Sequence, residues 1–258
     1  MPLLTNRHDI RALLRRDPTW CVYALGDLAA PMFPKTRWFA PDVTLVLHDF
    51  GTNILFAMGT GSIREALDHV TWPVHLQVQE DALDEIARHA VIAHQKPMWR
   101  MSWQGPPRGG HYVGKAVTVR LSAADAPALL ALYADGEASG EAPDFFYPSM
   151  VTDGVFFGIY EGGTLVSAAG THLFAPEESA VAIGNIYTMR DRRGRGLGRE
   201  VTSAVLEAVK DVGTVGLNVR ADNHAALHLY ESLGFTRHCP FYEGLATKLR
   251  GSDLPVCV

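Results

Sequence analysis

Two segments late in the chain carry apolar residues at helical spacing. From about Gly196 to Asp211, apolar positions recur three or four residues apart, which predicts a helix with one buried face. These positions are Leu197, Val201, Ala204, Val205, Ala208 and Val212. A second helix is predicted over residues 223–235, where Gly234 favours its end. An apolar run typical of a strand precedes each helix.

Runs of apolar and β-branched residues predict the strands of the second half. They cover residues 116–121, 154–160, 164–174, 179–189, 215–220 and 241–249. The turn Glu-Gly-Gly at 161–163 predicts a hairpin between the second and third of these strands. A further helix is predicted from Ser122 to Ala134. Strands that alternate with helices in this way predict an α/β fold.

The first half also mixes helices and strands. Helices are predicted over residues 9–17, 18–28, 62–70 and 82–91, and strands over residues 43–50, 53–58 and 74–78. Ser62 and Glu65 have the spacing of a capping box at the start of the third helix. The run WQGPPRGGHYVG over residues 103–114 is rich in glycine and proline and is typical of a linker. We therefore predict two domains, residues 1–107 and residues 115–258.

Composition narrows the classes of function. The chain has 258 residues, 47% of them hydrophobic and 20% charged, and a net charge of -5; a protein that coats nucleic acid needs a basic face instead. Three widely separated cysteines favour neither a disulfide framework nor a thiolate zinc site. The sequence has no signal-peptide core and no apolar run long enough to span a bilayer. We expect a cytoplasmic protein with no membrane or nucleic-acid partner.

The stretch RDRRGRGLGRE, residues 190–200, carries the clearest chemical signal. It holds five arginines and three glycines, so it could be a nucleic-acid patch, a disordered tail or a phosphate-binding loop. A predicted strand leads into it and an amphipathic helix follows, which argues against a low-complexity tail. The unpaired N–H groups and the dipole at a helix start favour an anion, and glycines let the backbone approach it. A pyrophosphate is the ligand that this pattern favours.

The order Arg193-Gly194-Arg195-Gly196-Leu197-Gly198 matches the R/Q-x-x-G-x-G/A signature of acyl-CoA binding, whereas neither a P-loop nor a dinucleotide pattern is present. With NIYTMRDRRGRGLGREV and LNVRADNHAALHLYESLGF, residues 115–250 resemble the GNAT superfamily of acyl-CoA-dependent N-acyltransferases. The resemblance implies a mixed, mostly antiparallel central sheet flanked by helices. The element order of the first half is compatible with a degenerate second copy that lacks the signature, and so with a tandem pair.

The resemblance also implies which residues hold the co-substrate acetyl-CoA. The backbone of Ile186, Tyr187, Thr188 and Met189 would pair with the pantetheine arm, and an N–H group near Tyr187 would polarise the thioester carbonyl. The N–H groups of Arg193, Gly194, Arg195, Gly196, Leu197, Gly198 and Arg199 would hold the pyrophosphate, with arginine side chains adding contacts to phosphate oxygens. Asn223, Ala226 and Tyr230 of the following helix would complete the site. Asn223 could also serve as the N-cap of that helix.

The implied reaction is direct attack of a primary amine on the thioester, which needs a base for the ammonium and an acid for the thiolate. Tyr230 stands where the family often has the acid, although it could instead pack in the core. The strand over residues 179–189 has no carboxylate for a base. His172, Glu137, Glu141 and a water chain stay open as alternatives.

The acceptor is an amine-bearing small molecule or peptide. The cluster DFFYPSM, residues 144–150, falls where the family lines its acceptor site, so Asp144 could meet an ammonium; a hydrophobic loop is the alternative. His224 and His228 have the spacing of a metal pair but no third ligand, and we expect no metal. Two further functions stay open: a non-catalytic acyl-CoA-binding regulatory module, and arginine-glycine binding of RNA, which the net charge disfavours.

Overall fold

The computed structural model describes residues 3–49, 52–106, 116–143 and 145–249. The chain folds as two compact units. Unit 1 comprises Met1–Arg100, Val219–Asp222 and His238–Val258, and unit 2 comprises Met101–Asn218 and Asn223–Arg237. The predicted boundary between residues 107 and 115 falls outside the described residues, and the C-terminal strand belongs with the first part of the chain.

The elements alternate along the whole chain. In order they are β1 (Leu3–Leu4), α1 (Arg7–Leu14), α2 (Val22–Gly26), β2 (Thr36–Phe39), β3 (Val43–Asp49), β4 (Thr52–Met58), α3 (Ile63–Leu67), β5 (Val74–Val78), α4 (Glu80–Ala87), β6 (Ala90–Trp103), β7 (Val119–Arg120), α5 (Ala126–Glu137), α6 (Ser149–Asp153), β8 (Phe156–Glu161), β9 (Thr164–Ala175), β10 (Ala180–Thr188), α7 (Leu197–Val209), β11 (Thr214–Arg220), α8 (His224–Ser232) and β12 (Phe235–Lys248). Short 3₁₀ turns at Phe33–Lys35, Ala123–Asp125, Pro176–Glu178 and Arg190–Arg192 connect some of them. Among the helices described, none combines the length and hydrophobicity of a membrane-crossing segment.

Unit 1 is built on a sheet in which β1, β2, β3, β4, β5, β12 and β6 are neighbours in that order. The strands β4 and β5 run parallel, whereas β12 enters antiparallel to β5, with Tyr242 opposite Val78. A core of aliphatic side chains from the sheet, α3 and α4 closes one face, including Val46, Leu55 and Ile86. The unit therefore takes an interior strand from the far end of the chain.

Unit 2 contains the strands β11, β10, β9, β8 and β7 in that order. Only β10 and β11 run parallel; β8, β9 and β10 are antiparallel neighbours. Helix α5 buries Leu129, Leu132 and Tyr133 against the sheet, and α7 packs on β8, β9 and β10. The hairpin between β8 and β9 is confirmed: Gly162 and Gly163 have φ values of 55° and 83°, as a two-residue type I′ turn requires.

Strands β1, β2 and β6 were not predicted, the last strand was predicted to start too late, and one helix cap was wrong. The predicted helix over residues 82–91 ends at Ala87, and β6 begins at Ala90; Pro97 hides this strand from a pattern reading. The last strand begins at Phe235 rather than at residue 241, because Pro240 and polar neighbours break its alternation. Ser62 does not cap α3 with its side chain; its hydroxyl donates to the Asp42 carbonyl at 2.6 Å.

Candidate functional site

The parallel strands β10 and β11 separate partway along their length. Within the described chain their pairing runs from Ala180 to Ile183 of β10 and stops opposite Leu217. Beyond that point β10 continues against β9 alone, through a register shift between Gly184 and Tyr187. Asn185 stands in this bulge with φ 53°, and its carbonyl accepts from the Tyr133 hydroxyl at 2.9 Å. The far edge of β10 is left open to a ligand that could add like a strand.

The backbone polarity of this edge follows from its pairing on the other side. The Met189 N–H donates to the Val166 carbonyl of β9 at 2.9 Å. Because successive residues of a strand direct their N–H and C=O groups to opposite edges, those of Thr188 face away from β9. The Thr188 side chain is fixed by the Ser167 hydroxyl at 2.8 Å. Thr188 therefore directs a donor and an acceptor to this edge, and its carbonyl accepts a hydrogen bond from Arg193 Nε at 3.2 Å.

The turn between β10 and α7, residues 189–196, leads directly into α7 and is called the glycine turn below. Gly194 and Gly196 have φ values of 75° and 82°, a region that favours glycine. The first backbone bonds of the helix run from the N–H groups of Arg199 and Glu200 to the Gly196 carbonyl, at 3.0 and 3.2 Å. A Cβ added at Gly194 would meet no atom within 4 Å. The space and the leading N–H groups fit a phosphate at the helix start.

Not every predicted donor of this turn is open. The Arg193 N–H already donates to the Arg190 carbonyl at 3.4 Å, and the Arg199 N–H donates to Gly196 at 3.0 Å. The N–H groups of residues 194–198 precede the helical bonds and remain for an anion. A phosphate-binding role for this turn thus depends on its five central amides.

The arginine side chains of the turn are bound to carboxylates. Both oxygens of Glu161 accept from Arg195, at 2.7 and 3.2 Å, and Arg192 adds a bond at 3.1 Å. Glu141 accepts from Arg193 at 2.9 and 3.3 Å. These bonds from arginine hold the pKa of both glutamates below its ordinary value. The arginine side chains therefore brace the turn, and its backbone N–H groups are the donors that an anion could use.

Asp135 of α5 anchors the end of β10. Its carboxylate accepts from the Tyr187 hydroxyl at 2.9 Å and from the Arg190 N–H at 3.0 Å. These hydrogen bonds, the one from the Arg190 backbone above all, lower the pKa of Asp135. Gly136 lets the Tyr187 ring lie close, since a Cβ there would come within 2.8 Å of Tyr187 Cε2. The sequence did not indicate Asp135 because no local pattern links α5 to β10.

Helix α8 carries the remaining predicted residues, and its Leu229 lies close to Gly198 at the start of α7. Asn223 caps it, as predicted, by accepting from the Ala226 N–H at 3.1 Å. Tyr230 lies seven residues after Asn223 and is buried, with its ring centroid 6.0 Å from that of Phe235. A Cβ on Gly198 would lie 3.4 Å from Thr188 Oγ1 and 3.7 Å from Leu229 Cδ2. The strand end, the turn and α8 therefore meet within van der Waals distance.

Comparison with known proteins agrees with this arrangement. Residues 126–235 match the family model described as Acetyltransferase (GNAT) family, and this segment contains β10, the glycine turn, α7 and α8. The chain carries a GNAT acetyltransferase domain. The family resemblance and the mixed, mostly antiparallel sheet flanked by helices are confirmed.

Two proteins similar in sequence are named acetyltransferases. The chain is 43% identical over 79 residues to a mycothiol acetyltransferase of Rhodococcus erythropolis, covering 29% of this chain and 26% of that protein. It is 39% identical over 88 residues to the N-alpha-acetyltransferase RimI of Mycobacterium tuberculosis, covering 32% of this chain and 52% of that one. The matched segment thus spans between a quarter and about half of these relatives.

Solved structures extend the likeness in fold to most of the chain. A putative acetyltransferase of the GNAT family from Novosphingobium aromaticivorans superposes with a TM-score of 0.63 and 22% identity, covering 90% of this chain and 97% of that one. At this identity the likeness concerns the fold alone.

The candidates for a base in the GNAT domain have unequal positions. His172 lies where β9 shifts register against β10, and a Cβ on Gly184 would come within 2.9 Å of His172 Cβ. Glu137 is exposed at the end of α5. Glu141 is engaged by Arg193, which makes it a weak base in this state. His172 is thus the candidate that lies beside the open part of β10.

The predicted acceptor segment is described in part. Asp144 lies outside the described residues. Phe146 packs on Tyr133 and Phe156, with ring centroids 5.0 and 6.2 Å apart, as the alternative of a hydrophobic loop predicts. His224 and His228 are exposed on α8, and within the part of the chain that is described no three His, Cys, Asp or Glu residues are grouped to hold a metal.

Proposed function

We propose that this protein is an acetyl-CoA-dependent N-acetyltransferase that acts on a primary amine of a small molecule or a peptide. The observation that carries the proposal is the open edge of β10 followed by the glycine turn and α7. An extended arm can pair with Thr188 while a pyrophosphate meets the amides of residues 194–198. The names of the similar proteins, a mycothiol acetyltransferase and an N-alpha-acetyltransferase, support an amine acceptor.

In this proposal the backbone holds the co-substrate. Thr188 offers its N–H and C=O to the pantetheine arm, Ile186, Tyr187 and Met189 lie beside that arm, and the amides of residues 194–198 hold the pyrophosphate. Asn223, Ala226 and Tyr230 form the wall on the side of α8. Acetyl is the acyl group that the named relatives support, and no chain-length selection is proposed.

The chemical step is attack of the amine nitrogen on the thioester carbonyl carbon. The C–N bond forms, the C–S bond breaks, and the departing thiolate takes a proton from the Tyr230 hydroxyl. Burial raises the pKa of Tyr230 well above its ordinary value of 10.0, so the phenol is protonated at neutral pH and available as a donor. Before attack the ammonium gives one proton to His172 or, through water, to solvent. The second proton that the nitrogen loses as the amide forms restores the Tyr230 hydroxyl.

Release of free thiol from acetyl-CoA tests the proposal. The acceptors are a short peptide with a free α-amino group, the same peptide blocked at its N-terminus, and glucosamine. We expect turnover with at least one free amine and none with the blocked peptide. If acetyl-CoA binds but no amine in a broad panel is turned over, the protein is not the proposed enzyme.

A second function has one observation in its favour. Strand β10 carries no carboxylate over Ala180–Thr188, and a non-catalytic acyl-CoA-binding module would need none. Tyr230→Phe separates the two: an enzyme should lose about 10²-fold in kcat while its affinity for CoA stays the same. A binding module has no turnover to lose.

A further inference from the structure

Arg193 occupies the very edge of β10 that the coenzyme would use. Its Nε donates to the Thr188 carbonyl at 3.2 Å, and that carbonyl faces away from β9. Its guanidinium lies 5.4 Å from the centroid of the Tyr187 ring. The side chain therefore folds back from the glycine turn along the end of the strand, and it competes for the acceptor that a pantetheine arm would need.

Glu141 holds Arg193 in this position. The two form a bidentate pair at 2.9 and 3.3 Å, the geometry that matches guanidinium to carboxylate best. Glu141 is itself placed by its loop: its N–H donates to the Gly136 carbonyl at 3.0 Å, and the Ser139 hydroxyl donates to its carboxylate at 2.8 Å. The pair ties the loop after α5 to the glycine turn.

Both partners are partly open to solvent, at 42% and 43% exposure. An exposed ion pair of this kind is cheap to break, so a ligand that offers Arg193 a pyrophosphate can displace Glu141. Arg193 can therefore pair with either of two anions, the Glu141 carboxylate or a pyrophosphate. Only pairing with the pyrophosphate leaves the Thr188 carbonyl available.

We propose that Arg193 is a latch over the coenzyme edge, and that coenzyme binding moves it to the pyrophosphate and leaves the Glu141 carboxylate for the ammonium of the acceptor. This inference rests on the proposed function. In this proposal Glu141 binds the ammonium of the acceptor. Because Glu141 is released only when the coenzyme displaces Arg193, the acceptor binds after the coenzyme. Glu141 reaches this edge of β10 through Arg193, whose guanidinium it binds and which itself lies 5.4 Å from the centroid of the Tyr187 ring.

Fragments of the coenzyme test the latch separately from the phosphate site. Pantetheine lacks the phosphates and ADP lacks the arm, so the affinity of each can be measured by ligand-observed NMR. Arg193→Gln and Glu141→Gln should bind pantetheine about two- to fivefold more tightly than the wild type, because an exposed pair is released. The matched controls Arg195→Gln and Glu161→Gln, which alter the neighbouring pair, should leave pantetheine affinity within twofold.

Equal pantetheine affinity in Arg193→Gln and the wild type would overturn the latch. Equal tightening in all four variants would also overturn it, since a general charge effect would then explain the result. If the wild type binds neither CoA nor ADP, the proposed function fails instead, which separates the two failures.

The acceptor half is tested with the free-amine peptide Ala-Tyr-Ala as the probe. In the wild type, saturating CoA should tighten peptide binding at least threefold, and Glu141→Gln should abolish this gain while Glu141→Asp restores part of it. Peptide binding that is absent, that does not respond to CoA, or that survives unchanged in Glu141→Gln would overturn the assignment of Glu141.

Discussion

At the scale of single residues, glycine and arginine divide the work in the turn between β10 and α7. Gly194 and Gly196 supply the left-handed backbone that aims consecutive amides at one point. Arg192, Arg193 and Arg195 hold carboxylates from other elements. In the proposed function the anion site is therefore made of backbone, and these side chains brace the turn.

Asp135 should matter for the coenzyme without touching it. It accepts hydrogen bonds from the Tyr187 hydroxyl and the Arg190 N–H, and hydrogen bonds to a charged group are stronger than those between neutral groups. Because the carboxylate is partly exposed, we expect a modest effect. Asp135→Ala should raise the KM for acetyl-CoA about three- to tenfold, with a smaller change in kcat. Asp135→Asn, which keeps an acceptor oxygen, should lie between; equal KM values in all three proteins would contradict this role.

The ion pairs that Glu161 forms with Arg192 and Arg195 should be lost in acid. Arginine contacts lower the folded pKa of Glu161 from 4.5, so its contribution to stability is present above the unfolded pKa and disappears as the pH falls through the folded value. Glu161→Gln should melt at a lower temperature than the wild type at pH 7. As the pH falls below the unfolded pKa and through the lowered folded pKa, the two melting temperatures should converge. A constant difference across this range would show that the ion pairs do not stabilise the turn.

At the scale of elements, local pattern predicted what is continuous in sequence. The helix α7, the hairpin β8–β9 and the glycine turn each lie within a short run, so periodicity and turn chemistry indicated them. Strand β6 escaped because Pro97 and the exposed residues around it break its alternation. Asp135 and Glu161 escaped because they lie 52 and 34 residues from their partners Tyr187 and Arg195, and only the fold brings such residues together.

The interior position of β12 in the sheet of unit 1 leads to a prediction about folding. Residues 242–246 of β12 pair with β5, and β12 stands between β5 and β6 in the sheet of unit 1. A chain truncated after Arg237 should leave an interior strand position empty and unit 1 unfolded or aggregated. Supplying residues 238–249 as a separate peptide should restore part of the protection from hydrogen exchange in β5. A truncated chain that keeps full protection there would contradict the pairing.

At the scale of the whole molecule, each unit has a glycine-containing turn between a strand and a helix, but the surroundings of the two turns differ. In unit 1, Gly59 and Gly61 lie between β4 and α3, as the glycine turn lies between β10 and α7. There the Asp42 carboxylate accepts from the Gly61 N–H at 2.9 Å, and a Cβ at either glycine would come within 2.9 Å of it. The chain's own carboxylate fills this turn. We therefore predict one coenzyme for each chain, bound by unit 2.

Calorimetric titration of CoA into the wild type, Gly196→Asp and Gly213→Asp tests the central claim most directly. Gly196→Asp places an anion in the glycine turn, and Gly213→Asp places the same charge beyond the other end of α7, near Ser179. Melting curves verify that both variants fold. The account predicts one binding event per chain for the wild type and for Gly213→Asp, and at least a tenfold loss for Gly196→Asp. Unchanged affinity in Gly196→Asp, or two coenzymes per wild-type chain, would contradict it.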